Sequence, residues 1–168
     1  LLYYGRAIEH PILTALNEIS AEQAKPTDKT NQKIEGVLDY IATYPESIIR
    51  FYASDMVLSV DSDAAYLVLP KAKSRIAGFY YLTDCDSSYY NSPILLVCKT
   101  LENVVASAAE AEMDGLFLNG QEIVNLQYIL TSLNHSQPPT PLKIYNTTST
   151  GFVLANKKMI KNEIKITN

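Results

Sequence analysis

The residues of this sequence best suited to chemistry are two aspartates. They lie two residues apart inside an apolar run. The run is MVLSVDSDAAYLVLP, residues 56–70, and Asp61 and Asp63 lie in its middle. Side chains two apart on a strand point to the same face, so the pair would present two carboxylates together. Carboxylate oxygens bind Mg²⁺ together with phosphate. Two other interpretations stay open: solvated charges at a strand end, and the D-x-D motif of a glycosyltransferase.

A basic segment follows directly. Lys71, Lys73 and Arg75 lie in PKAKSR, between two predicted strands. Such side chains contact the phosphate backbone of nucleic acids, although a solvated turn explains them equally well. The net charge of the whole chain is −4, which argues against an overall electrostatic attraction to nucleic acid or to an anionic membrane. A local basic patch is compatible with that charge.

Composition narrows the class of protein. The chain has 168 residues, 47% of them hydrophobic and 19% charged, as in an ordinary globular domain. No apolar run approaches the ~20 residues of a membrane helix, so we expect no membrane partner. Cys85 and Cys98 have neither the number nor the spacing of a zinc site, and we expect reduced thiols. Because the sequence begins Leu-Leu, we expect a segment of a longer polypeptide.

The first fifty residues predict a helical hairpin. Apolar residues keep a helical period on both sides of the turn KPTDKT, and they are Ile12, Leu13, Leu16 and Ile19, then Ile34, Val37, Leu38 and Ile41. Asp28 or Thr30 is the expected cap of the second helix, and Pro45 ends it.

From Ile48 the pattern changes to strands. Four are predicted, in IIRFYA, MVLSVDS, AGFYYLT and SPILLVCKT, with the last three pairing consecutively and antiparallel. A helix follows, with a break expected near Asn119–Gln121 because Gly weakens a helix interior. A short strand in LKIYN and a helix from Thr147 to Lys158 complete the prediction. The fold class is α/β, a mixed sheet of about five strands with flanking helices. The expected core is Leu58, Val60, Leu95, Val97, Leu116, Ile123 and Leu126.

Several motifs, in this order, resemble the ribonuclease H domain of copia-type retrotransposon polyproteins. SDAA lies on a first strand, KSRIAGF leads into a second, a third strand ends in a lysine, and SAAEAEM opens a long helix. Upstream, YYGRA, ALNEIS and PT resemble the segment between reverse transcriptase and ribonuclease H. The resemblance covers essentially the whole chain. It implies a connection segment at residues 1–47 and a ribonuclease H-like domain at residues 48–168, C-terminally truncated.

The resemblance implies an activity and a set of ligands. Ribonuclease H domains cut the RNA strand of an RNA–DNA hybrid with two metal ions, Mg²⁺ or Mn²⁺, held by a cluster of four acids. Asp63 matches the first-strand aspartate, and Glu110 matches the helix glutamate. Asp61 is then auxiliary at most, and Glu112 and Asp114 are expected to be solvated. The implied partners are an RNA–DNA hybrid and a reverse transcriptase domain in the same polyprotein, inside the cell.

The sequence departs from the family where the third acid belongs. The family's fourth strand ends in D-N-[ST], whereas this chain has Tyr145 and Asn146 in those positions. Tyrosine, with a pKa of about 10, does not replace a carboxylate at physiological pH. The only late acid is Glu163, whose surroundings do not match the family. We therefore predict an impaired nuclease, with a noncatalytic module of the same fold as the alternative and a glycosyltransferase as a remote one.

Overall fold

The computed structural model describes residues 1–86, 89–144 and 163–166, and it describes the side chains of those residues as far as Thr140. The chain divides into two compact units, Leu1–Arg50 and Phe51–Asn168. Each unit has its own hydrophobic core, and the two are described separately.

The first unit is helical, as predicted. It consists of α1 (Leu2–Ala7), a 3₁₀ turn (His10–Ile12), α2 (Leu13–Glu22) and α3 (Asp28–Thr43). Ile12, Leu16 and Val37 form its buried core. The apolar stripe predicted on α3 is only half correct, because Ile34 and Leu38 are exposed.

The start of α3 is fixed by two threonines. Thr27 is the N-cap, in place of the predicted Asp28 or Thr30. The Thr30 N–H donates to the Thr27 hydroxyl (3.3 Å), and the Thr27 N–H donates to the Thr30 hydroxyl (3.0 Å). This reciprocal pair satisfies backbone donors that a helix start leaves without intrahelical partners. Glu22 then joins α2 to α3, since it accepts from the Thr30 hydroxyl and from Lys33, each at 2.7 Å.

The second unit has a mixed α/β architecture, with three antiparallel strands as predicted. They are β1 (Val57–Leu69), β2 (Lys73–Thr83) and β3 (Pro93–Thr100), and each pairs with the next. The helix α4 (Ala108–Ser132) follows. The short strand β4 (Thr140–Ile144) runs parallel to β1, with Leu142 opposite Val60, and β5 (Glu163–Ile166) pairs antiparallel with β4.

The core lies between α4 and one face of the sheet. Of the predicted core residues, Leu58, Val60, Val97, Leu116 and Ile123 are buried, and Leu95 and Leu126 are partly buried against them. The prediction of the core is therefore confirmed. None of the helices in the described part of the chain is both long enough and apolar enough to cross a membrane.

Several predicted elements were wrong. IIRFYA forms no strand, and the sheet begins only at Val57. The break in the long helix is absent, since α4 runs without interruption through Asn119–Gln121. The C-terminal tail, which has no clear period, contributes β5. The helix predicted from Thr147 to Lys158 lies outside the described residues.

A glutamine side chain continues the sheet ahead of the first residue of β4. The Leu58 N–H donates to Gln137 Oε1 (2.9 Å), and Gln137 Nε2 donates to the Met56 carbonyl (2.9 Å). The amide thus makes the two backbone bonds that a neighbouring strand would make with the start of β1.

Candidate metal and nucleic-acid site

Asp61 and Asp63 lie within a continuous strand. Asp61 is opposite Phe79 of β2 and Asp63 is opposite Ala77, and β1 continues to Leu69. The interpretation that they mark a strand end is therefore wrong. Asp61 is partly buried, whereas Asp63 is exposed.

The two aspartates point away from α4. Ser62 and Ala64, which alternate with them along β1, lie against Gly115 of α4. Because successive side chains of a strand point to opposite faces, Asp61 and Asp63 share the other face of the sheet. That face therefore carries two carboxylates, as the D-x-D spacing predicts.

Glu110 lies in the first turn of α4, whose N-cap is Ser107, and its side chain binds the backbone just before that cap. The Ala106 N–H donates to Glu110 Oε2 (2.6 Å), and the Glu110 N–H donates to the hydroxyl of the N-cap residue Ser107 (3.2 Å). A carboxylate in the first turn is also favoured by the positive end of the helix dipole. Asp63 faces away from α4, the helix that carries Glu110, so the described geometry gives no support for their convergence on one metal ion, which stays a prediction.

This geometry predicts a structural effect of Glu110. We expect Glu110→Ala to lower the free energy of unfolding by about 1 kcal/mol, because it leaves the Ala106 N–H without its acceptor. Glu110→Gln keeps an acceptor oxygen, and we expect it to lose less than half as much. Urea unfolding followed by circular dichroism measures both. Wild-type stability in Glu110→Ala would mean that the hydrogen bond from the Ala106 N–H contributes nothing.

The buried acid of α4 is Glu112. Its side chain is 1% exposed, so the prediction that it is solvated was wrong. Glu112, Leu116, Asn119 and Ile123 recur at a helical period, and all four are buried. Continuing the apolar stripe of α4 toward the N-terminus, through the polar Asn119, would have predicted that Glu112 is buried. Asp114, also expected to be solvated, is half-buried and accepts from Asn103 Nδ2 (2.7 Å).

Asn119 is a second buried polar residue that the sequence did not indicate. It is fully buried, and its amide donates to the Ser62 hydroxyl (2.8 Å) and to the Ala77 carbonyl (3.0 Å). Its Oδ1 accepts from the Tyr80 hydroxyl (2.8 Å). The side chain thereby joins α4 to β1 and β2 at Ser62, the residue between the two aspartates.

The basic segment is divided by the fold. Lys71 is exposed in the turn between β1 and β2, and Lys73 is exposed as the first residue of β2. Arg75 lies further inside β2, opposite Ala65, and is partly buried. Strand alternation puts Arg75 on the face that carries Asp63. The two lysines therefore lie at the exposed end of the hairpin, and the arginine does not.

The described donors do not fit a two-metal centre. Two divalent ions need enough carboxylates to balance their charge. Among the residues that the structure describes, no three His, Cys, Asp or Glu side chains are grouped so that they could hold a metal ion. Tyr145, Asn146 and the Glu163 side chain lie outside the described part of the chain. Of the acids expected to bind metal, Asp61 and Asp63 lie on one face of β1, and Glu110 lies in the first turn of α4.

No protein-family model matches the chain, and neither a curated protein nor a solved structure matches it significantly.

Proposed function

We propose that the second unit is a ribonuclease H-like domain of a copia-type retrotransposon polyprotein, in which cleavage of RNA–DNA hybrids is impaired. The order and spacing of the motifs around Asp63 and Glu110 support the family. The strand order β3-β2-β1-β4-β5, with α4 following β3, supports a five-stranded ribonuclease H-like sheet. The helical first unit is then the connection segment that follows a reverse transcriptase domain in an intracellular polyprotein.

One observation carries the proposal. The parallel strand β4 ends with Ile144 opposite Ser62, between the two aspartates of β1. In the family, the fourth strand ends in D-N-[ST], and its aspartate holds a metal. The next residue in this chain is Tyr145. Tyr145 puts a neutral phenol at the sequence position where the family has a carboxylate. The side chains available to bind the metal ions therefore carry too little negative charge.

The experiment is a cleavage assay. We expect the purified chain to show little or no cleavage of a labelled RNA–DNA hybrid in Mg²⁺ or Mn²⁺. Tyr145→Asp adds a carboxylate next to β4, and we expect it to raise the cleavage rate above that of the wild type. Tyr145→Asn, which changes size and polarity without adding charge, is the matched control and is expected to stay inactive.

Strong cleavage by the wild-type chain would contradict the proposal that the nuclease is impaired. Strong cleavage by the wild-type chain that disappears in Asp63→Asn would mean that the metal centre is complete and that the interpretation of Tyr145 is wrong. Cleavage that survives both Asp63→Asn and further purification would mean that Asp63 is not one of the metal ligands.

An impaired nuclease of this fold keeps the role of holding nucleic acid. Lys71 and Lys73, exposed at the end of the hairpin of β1 and β2, favour that role over a purely structural one. Binding of an RNA–DNA hybrid without cleavage would support it. Failure to bind any nucleic acid would leave a structural module of the polyprotein.

A further inference from the structure

The sequence contains a single Asn-Gly pair, and it lies in the middle of a helix. Asn119 and Gly120 are both within α4, and no other asparagine of the chain is followed by glycine. Asparagine loses its side-chain amide most readily before glycine, because glycine has no Cβ to hinder the approach of its backbone nitrogen to the asparagine side chain. The pair is therefore the position at which spontaneous deamidation of this chain is expected first.

Deamidation at this pair needs only water as a co-reactant. The backbone nitrogen of Gly120 attacks the side-chain carbon Cγ of Asn119, a cyclic succinimide forms, and the Cγ–Nδ2 bond breaks. The Nδ2 nitrogen leaves as ammonia and takes up the proton of the Gly120 N–H. Water then opens the ring at either of its carbonyls, which leaves aspartate or isoaspartate at position 119.

The folded domain blocks the first step of this reaction. Asn119 is fully buried, and its Nδ2 donates to the Ser62 hydroxyl (2.8 Å) and to the Ala77 carbonyl (3.0 Å). Its Oδ1 accepts from the Tyr80 hydroxyl (2.8 Å). These three bonds direct the amide toward β1 and β2. In a continuous helix the next backbone N–H, that of Gly120, points along the axis into the helical ladder and not at the preceding side chain.

The products of deamidation do not fit this position. The hydroxyls of Ser62 and Tyr80 can each donate to a carboxylate, but the Ala77 carbonyl can only accept. Aspartate would put an oxygen in the place of Nδ2, which now lies 3.0 Å from that carbonyl, and it would bury a negative charge among neutral partners. Isoaspartate adds a carbon to the backbone, which disrupts the hydrogen-bond ladder of α4.

We infer that Asn119–Gly120 is a deamidation site that reacts only when the domain unfolds, and that the modified chain does not refold. Unfolding frees both the side chain and the backbone of the pair, whereas the folded state holds both. Because a folded protein spends only a small fraction of its time unfolded, the reaction in the native protein is limited by that fraction. The time that the chain spends unfolded therefore determines how much of it is modified.

Mass spectrometry of peptides measures the modification directly. Cleavage after glutamate releases residues 113–122, in which Asn119 is the only asparagine. The purified chain is incubated at mildly alkaline pH with and without guanidinium chloride, and fragmentation of this peptide assigns the replacement of NH2 by OH to Asn119 rather than to Gln121. We expect the rate in the denaturant to exceed that in the native protein by about a hundredfold or more. Gly120→Ala, compared in the denaturant so that folding plays no part, is expected to react about tenfold more slowly.

Refolding tests the second half of the inference. After increasing times in the denaturant the chain is diluted into buffer, and circular dichroism measures the fraction that refolds. We expect this fraction to fall at the rate at which Asn119 is lost, and the refolded chains to retain Asn119. Gly120→Ala is expected to keep its ability to refold over the same times.

Asn119→Asp represents one product of the reaction. We expect its melting temperature to be lower than that of the wild type by about 10 °C or more. Asn134→Asp makes the same change at an exposed residue after α4 and is expected to melt with the wild type.

Three results would overturn the inference. Equal deamidation rates with and without denaturant would mean that the fold does not protect Asn119. Wild-type stability of Asn119→Asp, or deamidated chains in the refolded fraction, would mean that the product is compatible with the fold. Loss of refolding at the same rate in Gly120→Ala and in the wild type would mean that another change limits refolding.

Discussion

A single methyl group added at Gly78 is expected to cost the domain about 3 kcal/mol of folding free energy. Gly78 lies on β2 under α4, and a Cβ there would lie 2.8 Å from the Tyr80 ring and 2.9 Å from the Asn119 side-chain carbon, with Asn119 Oδ1 closer still. The cost is steric, since no glycine in the described part of the chain has a positive φ. Asn119 has little freedom to move, because its amide is held by three hydrogen bonds.

The measurement is thermal or urea unfolding of Gly78→Ala. Because the chain has no tryptophan, circular dichroism is the suitable signal. A loss of about 3 kcal/mol corresponds to a melting temperature lower by about 10 °C or more. Gly36→Ala is the matched control, since a Cβ at Gly36 of α3 meets nothing within 4 Å. We expect that substitution to be neutral or to stabilise its helix by up to about 1 kcal/mol. Equal stability of Gly78→Ala and the wild type would contradict the close packing of Asn119 against β2.

Asn119→Ala is expected to cost the domain a similar amount, about 3 kcal/mol. The substitution removes the side-chain partner of three buried groups, the Ser62 hydroxyl, the Ala77 carbonyl and the Tyr80 hydroxyl. Only the Tyr80 hydroxyl keeps another acceptor, the Asn119 backbone carbonyl (3.2 Å). A buried polar group that loses its hydrogen bond costs about 1–3 kcal/mol, and a network loses more than the sum of its pairs suggests. Urea unfolding measures the loss, and a change below about 1 kcal/mol would mean that the network contributes little.

Tyr80→Phe separates one bond of this network from the rest. It removes the hydroxyl that donates to Asn119 and keeps the buried ring, so we expect a loss of about 1 kcal/mol. Burial, with a smaller contribution from the charge of Glu122, raises the pKa of the Tyr80 hydroxyl. The hydroxyl is therefore protonated, and remains a donor, at neutral pH. In a double-mutant cycle, the second substitution should cost less in the presence of the first, because the two side chains share a bond.

The core and the antiparallel strands were predictable because both follow from the spacing of apolar residues. Leu58 and Val60 on β1, and Leu116 and Ile123 on α4, keep the periods of a strand and of a helix, and all four are buried. The helical hairpin of the first unit is read from the same kind of signal. The apolar stripe predicted on α3 included Ile34 and Leu38, which are exposed. The helical period alone does not show which apolar residues pack against a neighbouring element.

The uninterrupted course of α4 was not predictable from local preference. Asn119 and Gly120 are poor helix formers, and the sequence therefore favoured a break. Three hydrogen bonds from Asn119 to the sheet hold the helix at this point. Those partners come from β1 and β2, about forty and more residues earlier in the chain, where no reading of local propensity finds them.

The candidate site was predicted in part. The D-x-D spacing correctly put Asp61 and Asp63 on one face of a strand. The role of Glu110 came from the family motif, and the structure gives this residue a hydrogen bond from the Ala106 N–H, just before the N-cap Ser107. Burial of Glu112 was missed because a charged residue in a helix is most often solvated.

Gln137 contacts the start of β1 but is synthesised much later than β1, so this part of the sheet is completed late in synthesis. Met56 and Leu58 bind it across about eighty residues of chain, and β4 reaches β1 over a similar separation. Such distant contacts slow folding. A nascent chain passes through a stage in which β1 and β2 have emerged and the other edge of β1 still exposes unpaired N–H and C=O groups. Open edges of this kind pair readily with strands of other chains. During synthesis, this edge of β1 therefore gains its partners only after Gln137 and β4 have left the ribosome.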